Sequence, residues 1–237
     1  MLKFVGKCRL YGVLLLLLSG LTGCGLTGPS SAEKQDKVKA EVKWPFAKNG
    51  IMIELSSDLD LNYYSGQAHT LVLGILQFDD EKAFPKLLTK PADLMKSLTS
   101  GNLPTGALAL DRYVLSPDTR LILEVDRVQD AKFIGIVAGY YQFDAARSAR
   151  YFRVPLNMKS SGLIAKDYKA EPAVLALRLG LGAQRIVNAV SLTHDADAPP
   201  SPKEDIPKNN SNLEINLSPE VMNQAAQRAG SLIKLGR

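Results

Sequence analysis

Phe133-Ile134-Gly135-Ile136-Val137-Ala138-Gly139-Tyr140-Tyr141 is a nearly continuous apolar run rich in β-branched residues. A run of that kind between polar turns fits a strand buried on both faces, and it is the best candidate for the centre of a sheet. Thr70 to Phe78 (TLVLGILQF) has the same character. Around these two lie half-buried candidates. Ile51, Ile53 and Leu55 alternate with Met52, Glu54 and Ser56, and Leu121, Leu123 and Val125 alternate with Ile122, Glu124 and Asp126. Further strands are expected over Ala107 to Leu115, which runs to a turn at Ser116-Pro117-Asp118, over Tyr151 to Leu156, around Leu175, Leu177 and Leu179, and over Ile186 to Leu192. Gly180-Leu181-Gly182-Ala183 joins the last two as a hairpin turn whose glycines tolerate positive φ.

Between Asp79 and Gly101 the apolar period changes. Phe84, Leu87 and Leu88, then Leu94, Met95 and Leu98, fall at helical spacings, with Pro91 in a first turn and Gly101 just past an end. One or two short helices are therefore expected as an insert at about 80–100. Many strands with a brief helical interruption predict a mainly β chain, an antiparallel β-sandwich spanning residues 44–194.

Both ends of the chain read differently. Lys3, Lys7 and Arg9 precede an apolar Leu10 to Leu18, and small residues lead to Leu21-Thr22-Gly23-Cys24, the pattern of a bacterial lipoprotein signal peptide over residues 1–23. Cys24 is then the lipid acceptor. The apolar run falls short of the roughly 20 residues that span a bilayer. Gly25, rather than Asp, follows the cysteine, a pattern that goes with sorting to the outer membrane in many Gram-negative bacteria. Residues 24–43 read as a lipidated terminus and flexible spacer, in which the run from Lys34 to Lys43 could be a short helix. Beyond Asp195, residues 195–237 read as a Pro-rich linker and a short C-terminal helix begun by Ser218-Pro219-Glu220.

Composition narrows the chemistry. Removing Lys3, Lys7 and Arg9 with the leader lowers the formal charge from +5 to +2, and the remaining basic residues interleave with acids, so nucleic acid is not expected as a partner. Cys8 goes with the leader and Cys24 is acylated, which leaves no thiol nucleophile and no disulfide. His69 sits at the mouth of a strand. His194-Asp195-Ala196-Asp197 is a weak metal candidate that reads better as a solvated loop. Gly180-Leu181-Gly182 lacks the third glycine and the βαβ setting of a dinucleotide site, and no nucleophile elbow is present. Asp58, Asp60, Asp79 and Asp80 cluster in or beside loops, where carboxylates are usually solvated. The expectation is no enzyme, no catalytic residue, no cofactor, no metal and no small-molecule substrate. Tyr63 and Tyr64, on a polar loop, point instead to protein binding.

Two blocks carry a resemblance to a known family. One is Ala131-Lys132-Phe133-Ile134-Gly135-Ile136-Val137-Ala138-Gly139-Tyr140-Tyr141 with the later Ala149-Arg150-Tyr151-Phe152-Arg153-Val154-Pro155. The other is Ile51-Met52-Ile53-Glu54 with Asp60-Leu61-Asn62 and Gly66; Gln77-Phe78 and Phe84 fit between them. In this order they resemble the type VI secretion system lipoprotein family (TssJ, also called SciN or VasD) over about Ile51 to Leu156. Departures are Pro117-Asp118 where the family usually has Pro-Gly, and Tyr151-Phe152-Arg153 where it has Trp-Arg. The resemblance implies a transthyretin-like sandwich with a small helical addition, held by acyl chains in the outer membrane on its periplasmic face. It implies the periplasmic domain of TssM, the large inner-membrane protein of the same complex, as partner. The contact element it implies is the loop between the first two strands, here Asp58, Asp60, Leu61, Asn62, Tyr63, Tyr64 and Gln67. The alternative from another class is a periplasmic lipoprotein that binds a small ligand or carbohydrate.

Overall fold

The computed structural model describes residues 29–162, 166–193 and 234–235. Its strands are β1 (Ala47–Ser57), β2 (Leu71–Phe78), β3 (Ala109–Leu115), β4 (Arg120–Arg127), β5 (Phe133–Ala138), β6 (Ala149–Arg153), β7 (Leu156–Ser161), β8 (Asp167–Pro172), β9 (Leu175–Leu181), β10 (Ile186–Ser191) and β11 (Lys234–Leu235). Helices are α1 (Ser31–Ala40), α2 (Ala83–Leu88), α3 (Pro91–Ser100) and α4 (Ala145–Ser148). A four-stranded sheet runs β10-β9-β1-β4 and a five-stranded sheet runs β11-β3-β2-β5-β6, while β7 and β8 form a separate hairpin.

The two sheets face one another across one apolar layer. From the first come Ile51, Ile53, Leu55, Leu121, Leu123, Val125, Leu175, Leu177 and Leu179; from the second come Leu71, Leu73, Ile75, Tyr113, Leu115, Ile134 and Ile136. These are the period-two positions of their strands, and burying each such side chain contributes about 1.5–3 kcal/mol. The continuous apolar runs need cover on their other face too. Leu76 and Phe78 of β2 and Val137 of β5 turn away from the sheet interface and pack under Phe84, Leu87, Leu94 and Leu98 of α2 and α3. The insert is thus a lid over the outer face of the five-stranded sheet. Pro91 starts α3 and Gly101 ends it in the left-handed region at φ 81.

Several expectations change. The pairing of β1 with β9 is parallel, Ile51 opposite Leu175 through Ser57 opposite Leu181. The chain reaches the open edge of β1 only after leaving the second sheet and making the β7–β8 hairpin, so β9 enters at the same end as β1 does. The opening run forms β5 only to Ala138, and β2 rather than β5 sits in the middle of its sheet. Strand Tyr151 to Leu156 is divided: β6 stops at Arg153 and β7 starts at Leu156, with Pro155, which has no N–H to give a ladder, between them. Gly180 and Gly182 do not use positive φ. A Cβ on Gly182 would lie 2.6 Å from Val187 Cγ1, and one on Gly180 3.1 Å from Val187 Cγ2, so these glycines make room for β10.

Residues 31–40 take the helical alternative. Ser30 and Glu33 form a reciprocal capping box at the start of α1. The helix rests on β8, where the Tyr168 phenol hydrogen-bonds with Gln35 and Ser31 and is held below its ordinary pKa chiefly by those bonds. The segment between α1 and β1 is fastened as well. Arg127 is buried, donates to the carbonyls of Ala131 and Pro45 at 3.2 and 2.8 Å, and lies 5.5 Å over the Trp44 ring. Among the described residues no helix is long and apolar enough to cross a membrane. The signal peptide, Cys24, His194 and the expected C-terminal helix lie outside the described residues.

Candidate functional site

Four connections meet at one end of the sandwich: residues 58–70 between β1 and β2, 116–119 between β3 and β4, 139–144 after β5, and 182–185 between β9 and β10. Backbone bonds tie them to one another and to the neighbouring strands. Asp58 N–H donates to Leu181 O at 2.9 Å, Tyr63 N–H to Ala183 O at 2.8 Å, Asp118 N–H to Asp58 O at 3.2 Å, and Gly139 N–H to Val72 O at 2.8 Å.

Within the first connection the roles divide by burial. Leu61 is wholly buried in the core, and Asn62 is nearly so. Asn62 holds a left-handed φ of 51, which Asn tolerates better than most residues. Its Nδ2 donates to Thr70 O at 2.8 Å and its Oδ1 accepts from Tyr141 N–H at 2.9 Å, so one amide closes its own loop and fastens a second. Tyr64 and Gln67 exchange both backbone bonds, at 2.9 and 3.2 Å, around Ser65 and Gly66 at φ 50 and 83. That pair of positive φ values makes a tight hairpin tip.

The side chains that face outward are aromatic and acidic. Tyr63 and Tyr64 are 44% and 45% exposed, Leu59 76% and Tyr141 61%. The Tyr64 and Tyr141 rings stack at 4.8 Å with 20° between planes, and the His69 ring meets Tyr141 edge-on at 5.1 Å. The His69 Nε2 is 3.1 Å from Tyr64 O. Asp58, Asp60 and Gln67 are exposed on the same connection. Beneath them Tyr140 is buried and donates to Arg185 O at 2.7 Å. Burial, reinforced by the Asp58 charge, pushes its phenol well above the ordinary 10.0.

Of the residues singled out from the sequence, Asp58, Asp60, Tyr63, Tyr64 and Gln67 front this surface, whereas Leu61 and Asn62 build it from behind. Tyr141 and His69 are the residues that sequence reasoning missed as part of it. Tyr141 read as the end of a buried strand, and its signal was Gly139, where the chain leaves the sheet. Among the described residues no group of His, Cys, Asp and Glu gathers as a metal site. A groove of about 800 Å³ lies elsewhere, beside α2 and α3, with Lys82, Lys86, Lys90 and Lys96 and the carboxylates Asp80 and Asp93 on its walls.

Comparison with known proteins adds the following. The family model described as type VI secretion lipoprotein, VasD, EvfM, TssJ matches residues 49–174. The crystal structure of the T6SS lipoprotein TssJ1 from Pseudomonas aeruginosa is 20% identical, with 64% of this chain and 98% of that one covered and a TM-score of 0.42. Serratia marcescens Lip, a membrane-bound component of the type VI secretion system, is 17% identical over 60% of this chain and 98% of that one, with a TM-score of 0.43. A T6SS TssM C-terminal domain from EAEC is 13% identical over 61% and 98%, with a TM-score of 0.39. No curated protein matches.

Proposed function

The chain belongs to the type VI secretion lipoprotein family, and from that premise we propose that it is a structural subunit of the secretion membrane complex, acylated on Cys24, held in the outer membrane, and bound to the periplasmic region of TssM. The observation that supports a binding role is the preordered aromatic end of the sandwich. Tyr63, Tyr64 and Leu59 are exposed on a connection that the Asn62 amide and backbone hydrogen bonds already hold in place, so a partner need not bear the entropy of ordering it. The lipid supplies the other half of the role. Each buried methylene adds about 0.8 kcal/mol, so three acyl chains hold far more firmly than one.

The test has two arms. Tyr63→Ala with Tyr64→Ala should weaken binding to the TssM periplasmic region by about 2 kcal/mol or more in calorimetry, as loss of buried aromatic anchors does. Cys24→Ser should leave that affinity unchanged and abolish secretion. Unchanged affinity in the double variant removes this loop from the account, and secretion that survives Cys24→Ser removes the anchor. The small-ligand alternative has in its favour the groove beside α2 and α3, where four lysines outnumber Asp80 and Asp93. It predicts saturable binding of a small anion that Lys86→Glu abolishes.

A further inference from the structure

The stacked rings and their surroundings say more about the partner than that it is a protein. Tyr64 comes from the β1–β2 connection and Tyr141 from the segment after β5, and the two share an exposed, offset stack. Ring faces carry negative electrostatic potential, which a planar cation answers by stacking. The four connections at this end carry Asp58, Asp60, Asp118 and Asp144, all exposed, against one arginine, Arg185, and no lysine. His69 is engaged with Tyr64 O and the Tyr141 ring. An apolar aromatic patch in an acidic rim is complementary to a surface that presents arginine, whose guanidinium combines a flat face, low hydration and a fixed charge.

We propose that this end of the sandwich is a receptor for a partner protein's arginine, with the outward face of the Tyr64–Tyr141 stack taking the guanidinium and Asp58 and Asp60 supplying the opposing charge. Tyr141 thereby joins the docking surface as a contact residue from a second loop. The identity of the partner rests on the function proposed above, whereas the chemistry of the surface does not. Asn62 fixes the relation between the two loops through its bond to Tyr141 N–H, so the stack exists before the partner arrives.

Two measurements test this on the mature chain. In the first, binding to the TssM periplasmic region should fall about tenfold or more for Tyr141→Ala and stay within about twofold for Tyr141→Phe, the scale of a contact residue in an interface core. Asp58→Asn with Asp60→Asn should slow association and flatten its salt dependence. Tyr141 is exposed, so thermal unfolding should not separate these variants from the parent. In the second, a Gly-Arg-Gly amide peptide and its citrulline counterpart are titrated while ring resonances are followed by NMR. Shifts centred on Tyr64 and Tyr141 with arginine, and much smaller ones with citrulline, are expected. Equal responses to the two peptides overturn the receptor, whatever TssM does. A Tyr141→Ala chain that binds TssM like the parent overturns the place of Tyr141 in that interface. Discrimination between the peptides with no TssM binding by the parent overturns the assigned partner and leaves the receptor standing.

Discussion

Asn62 carries more of the site than the tyrosines around it. Its amide spends both ends on backbone partners from two different loops while its own backbone sits at φ 51. Asn62→Ala takes the side-chain partner from a part-buried carbonyl and a part-buried N–H and puts alanine in a left-handed region that asparagine tolerates better. A loss of about 1–3 kcal/mol is expected for the unpaired groups, read from urea unfolding midpoints. Asn62→Gly should lose less, because the backbone term is relieved. Tyrosine ionisation gives a second expectation. Tyr140 and Tyr151 are held above 10.0, each first by burial, then by Asp58 for Tyr140 and by Glu81 and Asp80 for Tyr151. A raised folded-state value means that the folded form holds its proton more tightly. That stability is complete below pH 10 and drains away as pH rises beyond it. Absorbance at alkaline pH should show these two phenols ionising with unfolding rather than before it, and Tyr140→Phe should lessen the loss. Tyr63 and Tyr64 were legible in sequence because two aromatics in a polar turn have no local reason to be there. The role of Asn62 was not legible, since hydrogen bonds to Thr70 and Tyr141 leave no trace in spacing.

At the level of elements, the helical insert and the sheet beneath it are fitted through glycine. A Cβ on Gly135 would overlap the Phe84 ring, and one on Gly74 would overlap Leu98. Tyr151 of β6 completes the seat: its ring stacks on Phe84 at 5.4 Å and on Phe133 at 5.6 Å, and its hydroxyl donates to Glu81 O at 2.7 Å. Gly135→Val should therefore lift α2 at a cost of about 1–3 kcal/mol. Phe84→Leu in the same chain should return part of it, a coupling that a double-mutant cycle of unfolding free energies measures. The alternation in β1 and β4, and the helical spacing of Phe84 to Leu98, were sufficient to read these elements, because burial on one face imposes a period. The β7–β8 hairpin leaves no such signal, because most of its residues are exposed and polar and no core writes a pattern into it. The parallel pairing of β1 with β9 was hidden for another reason: alternation tells which face is buried but not which neighbour lies beside the strand.

For the whole molecule, the same sandwich carries the proposed binding surface at one end and takes its approach from the N-terminus at the other. The chain arrives through α1 on the β7–β8 hairpin, passes the Trp44–Arg127 contact, and enters β1. β1 runs 11 residues between β4 and β9 and opens directly into the connection that carries Tyr63 and Tyr64. Residues 24–43 were expected as a spacer in which a short helix was one alternative, and the helix forms over Ser31–Ala40 and lies against β8. That route has a mechanical meaning. Tension between a lipid at Cys24 and a partner at Tyr63 would travel along the covalent backbone of β1, with the hydrogen-bonded sheets in parallel with the load rather than in series. Single-molecule pulling between the N-terminus and residue 63 should peel α1 from its hairpin and then stiffen, without the long extension that appears when the handles are residues 63 and 191. A subunit wired this way can carry force across itself while its fold stays slack.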